Sequence, residues 1–378
     1  MRLFRSVVRP VVTIGISHRR ARRRQAGDHR PDALHTQIVP HGEGTQHPAN
    51  THDGGTSSPT AREDGPLVSV LVPSWNFLNF IGDCLESIVS QSYRPLEIVI
   101  VDDATSDGSY GVAEEFSARD DRIVLHRNDR NVGAFENSLR LLELASGPIV
   151  MFVGADDVLH RDAVARLVEG LEQAPDVVLS FGHFDLIGED GQVIDGRAAA
   201  LDRWPSLTPI PGIELGDGML RRCRNWIGSP TAVAFRASAL KDPRQLPGSE
   251  PGRQPSFDVL WWIRILSEGR AVYARETLSH RREHPSSTTQ SLGALVKLLD
   301  AWCGILRHAQ ALGFLADPAD AQEAWASYLI LMCLTLAQRD ARRGAMRFAR
   351  ALVSDARAAC KELDAVGRAR TYAYVDSP

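Results

Sequence analysis

The sequence predicts an α/β chain built on a mostly parallel sheet with helices on both faces, followed by further helices. Three observations predict it. Short β-branched apolar runs alternate with stretches of helical periodicity between residues 66 and 157, and strands joined through helical crossovers pair in parallel and are covered on both faces. Two of the runs end on paired carboxylates, Asp102-Asp103 and Asp156-Asp157, and ligands of open α/β sheets collect at the carboxyl ends of strands. A chain of 378 residues with 43% hydrophobic content is also long enough to bury a full core.

The elements follow in order. Residues 1–65 are rich in Arg, His, Gly, Pro, Ser and Thr with no sustained apolar period, the composition of a disordered basic segment. The cluster Arg19, Arg20, Arg22, Arg23, Arg24 follows the interrupted apolar start instead of preceding it, which is the reverse of a secretory signal. It reads as a solvated tail, with contact to anionic lipid as a second role. Residues 67–72, 96–101 and 148–153 are runs too short for stable helices and read as strands, the last opened by Pro148 where a missing ladder donor is tolerated. Between them, residues 77–91, 108–117 and 132–145 carry apolar positions at helical spacing, as with Ile81, Leu85, Ile88 and Val89. Residues 292–367 repeat the helical pattern through Val296, Leu299, Trp302 and Leu306, and Asp317-Pro318 supplies an N-cap followed by proline at the first helical position. No run approaches the roughly 20 apolar residues that span a bilayer.

Composition narrows the function classes. A formal net charge of −4 argues against nucleic acid as the main partner. Cys84, Cys223, Cys303, Cys333 and Cys360 are scattered with no Cys-x-x-Cys pair, which predicts reduced thiols and a cytoplasmic protein.

Each strand end carries its own candidate chemistry. Pro73-Ser74-Trp75-Asn76 is neither a dinucleotide-binding glycine fingerprint nor a Walker loop; Trp75 fits a stacking face for a nucleobase, or a turn with the ring as packing. Asp102-Asp103-Ala104-Thr105-Ser106-Asp107-Gly108 offers carboxylates to a base or ribose, or caps a helix through Ser106 or Asp107. Asp156-Asp157 suits Mg²⁺ or Mn²⁺, hard cations that take oxygen ligands and bridge to phosphates, set against a solvated loop.

In order and spacing, four segments resemble the family 2 glycosyltransferases of the GT-A fold. They are Val70-Leu71-Val72-Pro73-Ser74-Trp75-Asn76, Val101-Asp102-Asp103-Ala104-Thr105-Ser106-Asp107-Gly108, Asn131-Val132-Gly133 with Asn137 following, and Phe152-Val153-Gly154-Ala155-Asp156-Asp157. The resemblance spans residues 66–289 and implies a Rossmann-like GT-A domain over 66–290, between the basic segment 1–65 and a C-terminal helical extension over 291–378. It places Pro73, Trp75, Asn76, Asp102 and Asp103 at the nucleobase and ribose end of a nucleotide-sugar site, with Asp103 at the position that contacts uracil. It adds Asn131, Gly133 and Ala155 to the same site, and Asp156 and Asp157 to a divalent metal, Mn²⁺ or Mg²⁺. Trp75 stands where the family usually carries Tyr or Phe. Gly154 stands where the family's metal motif has its first acid.

Further along, Ser256-Phe257-Asp258-Val259-Leu260-Trp261-Trp262-Ile263-Arg264 resembles the family's acidic helix start, with Phe257 replacing the first acid. The resemblance makes Asp258 the catalytic base, and the same residue is placed to cap its helix over a buried face of Trp261, Trp262 and Ile265. Arg282-Glu283-His284 looks like the family's Arg-x-His segment, so Arg282 faces diphosphate and His284 faces metal or diphosphate, or the histidine is structural. Trp226 is divided between a sugar platform and core packing.

The activity implied is an inverting transfer from a nucleotide sugar, UDP-linked, to a carbohydrate, lipid-linked or protein hydroxyl in cell-surface polysaccharide or glycoconjugate synthesis. The cellular place implied is the cytoplasm, at the inner face of the membrane with peripheral contact. The competing reading is a non-catalytic nucleotide-sugar-binding module held in a biosynthetic assembly, since Gly154 and Phe257 both replace family acids.

Overall fold

The computed structural model describes residues 62–195, 204–246, 257–285 and 292–337. The expectations for residues 1–61 of the basic N-terminal stretch, for Ser256, for Ser286 to Thr289 and for the helical tail beyond residue 337 lie outside them; the last residues of that stretch are placed, Arg62 bridging Tyr93 and pairing with Glu172 at 2.7 Å, so the fold reaches back to Arg62. By internal contacts the chain divides into Met1–Thr56 and Ser57–Pro378, and every described residue belongs to the second unit.

The first half follows the alternation in the sequence: β1 (Val68–Ser74), α1 (Ile81–Val89), β2 (Leu96–Asp102), α2 (Ser109–Ser117), β3 (Ile123–Arg127), α3 (Ala134–Leu144) and β4 (Ile149–Phe152). β1 pairs in parallel with β2 and β4, and β2 pairs in parallel with β3. Side chains alternate across these strands. Val70 and Val72 of β1 and Ile98 and Ile100 of β2 enter one core with Leu85 and Ile88 of α1. Leu71, Val99 and Val101 enter the opposite core with Phe135 and Leu139 of α3. Burial on both faces is why these strands read as continuous apolar runs.

The second half contains β5 (Val158–Leu159), α4 (Ala163–Leu171), β6 (Val177–Ile187), β7 (Val193–Asp195), β8 (Pro209–Pro211), α5 (Gly212–Arg221), β9 (Val233–Arg236), α6 (Phe257–Leu266) and β10 (Arg270–Arg282). The sheet runs β3-β2-β1-β4-β9-β6-β10-β5, with β7 beside β6 and β8 beside β10. β9 is antiparallel to both β4 and β6, and β10 is parallel to β6. Two antiparallel steps restore direction, so β6 and β10 run the same way as β1 to β4. Their carboxyl ends share one edge of the sheet, and β9 begins at that edge.

Two helices close the described chain, α7 (Leu292–Ala311) and α8 (Pro318–Ala337). Asp317 Oδ1 accepts the Ala319 N–H at 2.7 Å, so the Asp-Pro start works as an N-cap should. Trp302, Leu306, Trp325 and Tyr328 are buried in the same core as Leu215 and Met219 of α5 and Trp262 of α6. Among the described residues no helix is long and apolar enough to cross a membrane. Cys84, Cys223 and Cys303 are buried and none of them is in a disulfide.

Candidate active site

Loops leave the common edge of the parallel strands, and those after β1 and β2 are locked together. After β1 the chain turns at Asn76 with φ 58°. Asn76 N–H donates to Thr105 Oγ1 at 2.6 Å, and Asn76 Oδ1 accepts Ser106 N–H at 3.0 Å and the Thr105 hydroxyl at 3.2 Å. Asp107 then splits its carboxylate, one oxygen accepting Ser109 N–H at the head of α2 and the other accepting Leu78 N–H, both at 2.9 Å. The N-cap position itself is Gly108, so Asp107 serves the helix start from one residue before the cap expected of it or of Ser106. Pro73 lies within β1, opposite Val101. Trp75, on the outer side of this bracing, is 50% exposed, an aromatic face open to solvent at the strand edge.

The Asp102-Asp103 doublet is buried, and its members do different things. Asp102 Oδ2 accepts Thr105 N–H at 3.1 Å and pairs with Arg127 Nε at 3.2 Å. Burial nevertheless pushes its carboxyl above the ordinary carboxylate range, and its Oδ1 has no partner among the described residues. Asp103 is fully engaged: Oδ1 accepts Asn128 Nδ2 and Val132 N–H, each at 2.8 Å, and Oδ2 accepts Gly133 N–H at 2.9 Å. Asp103 thus holds the loop carrying Asn131 and Gly133. Gly133 has φ 89°, a left-handed geometry that costs glycine little, and it aims its N–H back at the acid as α3 begins. Asn131 is exposed beside it. Asn128 and Asn137, cross-linked at 3.0 Å, back this loop from below.

After β4 comes the acidic loop. Asp157 N–H donates to Gly154 C=O at 2.9 Å, making a tight turn with Ala155 buried inside it. Asp157 is 5% exposed; its Oδ1 accepts Arg282 N–H at 3.0 Å and its Oδ2 accepts the Thr231 hydroxyl at 2.5 Å. Burial, with the charge of Asp156 adding, pushes its carboxyl up to about 7. Asp156 is the more open acid, and its Oδ2 lies 3.1 Å from His284 Nε2. The His284 ring is held against Phe80 and Phe77, with centroids 4.9 and 6.3 Å away. Arg282, expected from the sequence to face diphosphate, is 4% exposed. Its guanidinium donates to the carbonyls of Asp156, Gly188 and Glu189 and to Asp83 Oδ2. Arg282 thus ties the acidic loop to the β6–β7 turn and to α1.

The donor set fits a divalent cation. Asp156 and His284 supply oxygen and imidazole nitrogen, which suits Mn²⁺. Among the described residues no three His, Cys, Asp or Glu side chains form a complete protein cage, so substrate oxygens would complete the coordination, as at many phosphate-linked sites. Gly154 also belongs to this fit. A Cβ there would lie 2.9 Å from Asp156 Oδ1 and 3.0 Å from Asp157 Oδ2, so the absence of a side chain is what lets both acids fold over the turn.

Asp258 sits in the first turn of α6, as the sequence places it, with Trp261, Trp262 and Ile265 buried behind it. Burial pushes its carboxyl up to about 6. Asn225 opens the segment Asn225-Trp226-Ile227-Gly228-Ser229-Pro230, and its Nδ2 approaches Asp258 Oδ2 at 3.4 Å. Trp226 resolves as packing: it is 8% exposed, 5.9 Å from the Trp204 ring, and so close to α5 that a Cβ on Gly218 would meet it at 2.2 Å. Cys84 donates to Gly154 C=O at 3.3 Å, and burial raises its thiol well above the ordinary range, so it is no nucleophile.

This arrangement has relatives. The glycosyl transferase family 2 model matches residues 69–241, from β1 past β9. A glycosyltransferase of Haemophilus influenzae is 33% identical over 233 residues, covering 60% of this chain and 68% of that protein. A Bacillus subtilis protein named for teichuronic acid biosynthesis, TuaG, is 32% identical over 130 residues, covering 34% of this chain and 51% of TuaG. Among solved structures, Staphylococcus aureus TarS 1–349 in complex with UDP-GlcNAc matches with a TM-score of 0.51 at 14% identity, over 78% of this chain and 90% of that one, a likeness of fold. The family-model match and the H. influenzae relative show that the chain belongs to glycosyl transferase family 2 and is a glycosyltransferase, and the fold is GT-A.

Proposed function

We propose that the protein moves a sugar from a UDP-linked donor to a hydroxyl acceptor with inversion at the anomeric carbon, in cell-surface polysaccharide synthesis. The observation that carries this reading is the pairing of Asp156 with His284 at 3.1 Å on the edge where the parallel strands end. Exposed Trp75 beside the buried Asp102-Asp103 doublet supports a base-stacking end to the same crevice. The UDP-GlcNAc bound to TarS and the polymer named in TuaG favour the donor and the pathway class.

The chemistry needs one base and no protein nucleophile. An acceptor hydroxyl is too weakly acidic to attack unaided at neutral pH, so Asp258 takes its proton as the bond to the anomeric carbon forms and the bond to diphosphate breaks. A carboxyl raised to about 6 is still ionised at pH 7 and is a stronger base than an ordinary aspartate. Asp156 and His284 would hold the divalent cation, which when bound stabilises negative charge on the departing diphosphate. An α-linked donor gives a β-linked product. The cytoplasmic face of a membrane is the setting in which such donors and growing polymers meet.

The test is a panel of UDP- and GDP-sugars with Mn²⁺, read by release of nucleoside diphosphate and by product analysis with candidate acceptors. Release from a UDP-sugar that stops in a chelator and in Asp156→Ala supports the reading. Saturable donor binding with no release under any acceptor would instead leave a nucleotide-sugar-binding module.

A further inference from the structure

We propose that Thr231 is a positioning residue of the donor site: its hydroxyl pins Asp157 inside the protein, so that Asp156 and His284 are the groups presented to the divalent cation. This inference rests on the metal reading above and concerns which side chains make that site. Thr231 is 1% exposed and lies in the short turn Pro230–Ala232 that leads into β9. Because β9 begins at the edge where β4 ends, this turn stands directly against the acidic loop.

One hydroxyl serves both ends of that loop. Its hydrogen goes to Asp157 Oδ2 at 2.5 Å, and its oxygen accepts the Gly154 N–H at 3.1 Å. A hydroxyl carries one donor and two acceptor positions, so both bonds are made at once. The remaining oxygen of Asp157 takes the backbone N–H of Arg282 at 3.0 Å. Both oxygens of Asp157 are therefore engaged within the protein, while Asp156 keeps a side chain that is 22% exposed next to His284. The two adjacent acids are not equivalent.

Gly154 explains why such a clamp is needed. A loop that starts on glycine has no side chain of its own to fix its entry, and adjacent carboxylates repel one another. The Thr231 hydroxyl supplies the missing restraint on the entry through Gly154 N–H and neutralises part of the repulsion by donating to Asp157. Without it, Asp157 is held through the Arg282 N–H alone, so it can turn outward about that bond and Asp156 loses its fixed approach to His284.

The experiment measures Mn²⁺ binding by the full-length protein without nucleotide, following free Mn²⁺ by electron paramagnetic resonance, alongside metal-free melting curves. Thr231→Val removes the donor and keeps the shape, and Thr231→Ser keeps the donor. Groups that orient metal ligands typically change affinity by about 10–100-fold when removed, so Thr231→Val is expected to weaken Mn²⁺ binding by about tenfold or more. Thr231→Ser is expected to restore it, which a loss of packing alone would not. Parent-like Mn²⁺ affinity in Thr231→Val, with Asp156→Ala abolishing binding, overturns this inference and leaves the metal reading standing. No saturable Mn²⁺ binding by the parent overturns both. If Thr231→Val does not fold, Thr231→Ala is read in its place by the same criteria.

Discussion

Asn225 Nδ2 stands 3.4 Å from Asp258 Oδ2, joining the loop after α5 to the first turn of α6. The amide is itself fixed, since its oxygen accepts the N–H groups of Ile227 and Gly228 and its nitrogen also donates to Gly228 C=O. The carboxyl that the family resemblance marks as the base is thus approached by a rigid neutral side-chain donor as well as by backbone N–H groups of its own turn. Burial is the main force on its protonation.

Asp258→Asn keeps shape and capping ability but cannot take a proton. Turnover is expected to fall by roughly 10²-fold or more while donor affinity stays near that of the parent. Stability should move the other way. A folded-state carboxyl raised to about 6 favours folding fully only below its ordinary value near 3.8, and that contribution is lost as pH rises through about 6. At pH 7 the ionised group is therefore a cost. A tenfold change in proton affinity is worth about 1.4 kcal/mol, and solvent reaching this partly exposed carboxyl screens its charge, so the variant is expected to gain about 1–2 kcal/mol at pH 7. Denaturant titrations at pH 7 check this, and a variant that transfers at the parent rate would move the base elsewhere.

The rate should carry the same signature. Since the ionised form is the base, kcat/KM is expected to rise with pH through about 6 and level off above it. Asn225→Ala removes a donor that favours the charged carboxylate, so its acid limb should lie at higher pH than the parent's. Superimposable profiles for the two proteins would show that the 3.4 Å approach is not felt in catalysis.

The parts of this site legible in sequence are those fixed by strand ends. β1, β2 and β4 announce themselves as β-branched runs buried on both faces, and the loops that follow carry Trp75, Asp102, Asp103, Asp156 and Asp157. β3 is not legible because it is an edge strand, with Val124 46% exposed and charged or polar residues at its end. β6 and β10 escape a sequence reading because His183, Asp185 and Glu276 interrupt their apolar pattern. Thr231 carries no signal of its own, and the contact of Asn225 with Asp258 is not visible in sequence: each matters through a partner 74 or 33 residues away. Arg282 is legible as a functional position, but only packing shows its charge turned inward onto three carbonyls and Asp83.

Asp103 shows how an acid at a binding position also holds the fold. Asp103→Ala leaves the N–H groups of Val132 and Gly133 without their acceptor and Asn128 Nδ2 with Asn137 alone. A fully buried donor left unsatisfied costs about 1–3 kcal/mol, and these part-buried ones, which water can reach, cost less. UDP affinity measured by calorimetry is expected to drop about tenfold or more, with faster amide exchange at Val132 and Gly133. Reduced affinity with unchanged exchange would mean that the carboxylate acts on the nucleotide alone, and unchanged affinity in a folded variant would remove Asp103 from the donor site.

Gly154 is where the family pattern is broken, and restoring the acid is expected to harm the site. An added Cβ meets Asp156 Oδ1 at 2.9 Å and Asp157 Oδ2 at 3.0 Å. Asp156 is partly exposed and can swing aside, but doing so carries it away from His284. Asp157 cannot yield without stretching its bonds to Thr231 and to Arg282 N–H. Gly154→Ala therefore tests the steric part alone, and a displaced metal ligand of this kind is expected to lower Mn²⁺ affinity by about tenfold. Gly154→Asp adds a third carboxylate to an acidic pair whose buried member already sits at about 7. Its expected effect is a further loss of stability at neutral pH in the metal-free protein, partly recovered when Mn²⁺ is added, because a bound cation relieves the repulsion and stabilises the folded state. Melting temperatures of the parent and both variants with and without Mn²⁺ check the order. If Gly154→Asp binds Mn²⁺ more tightly than the parent and transfers sugar faster, the loop accommodates the family's acid and the close approach at Gly154 is not what keeps glycine there.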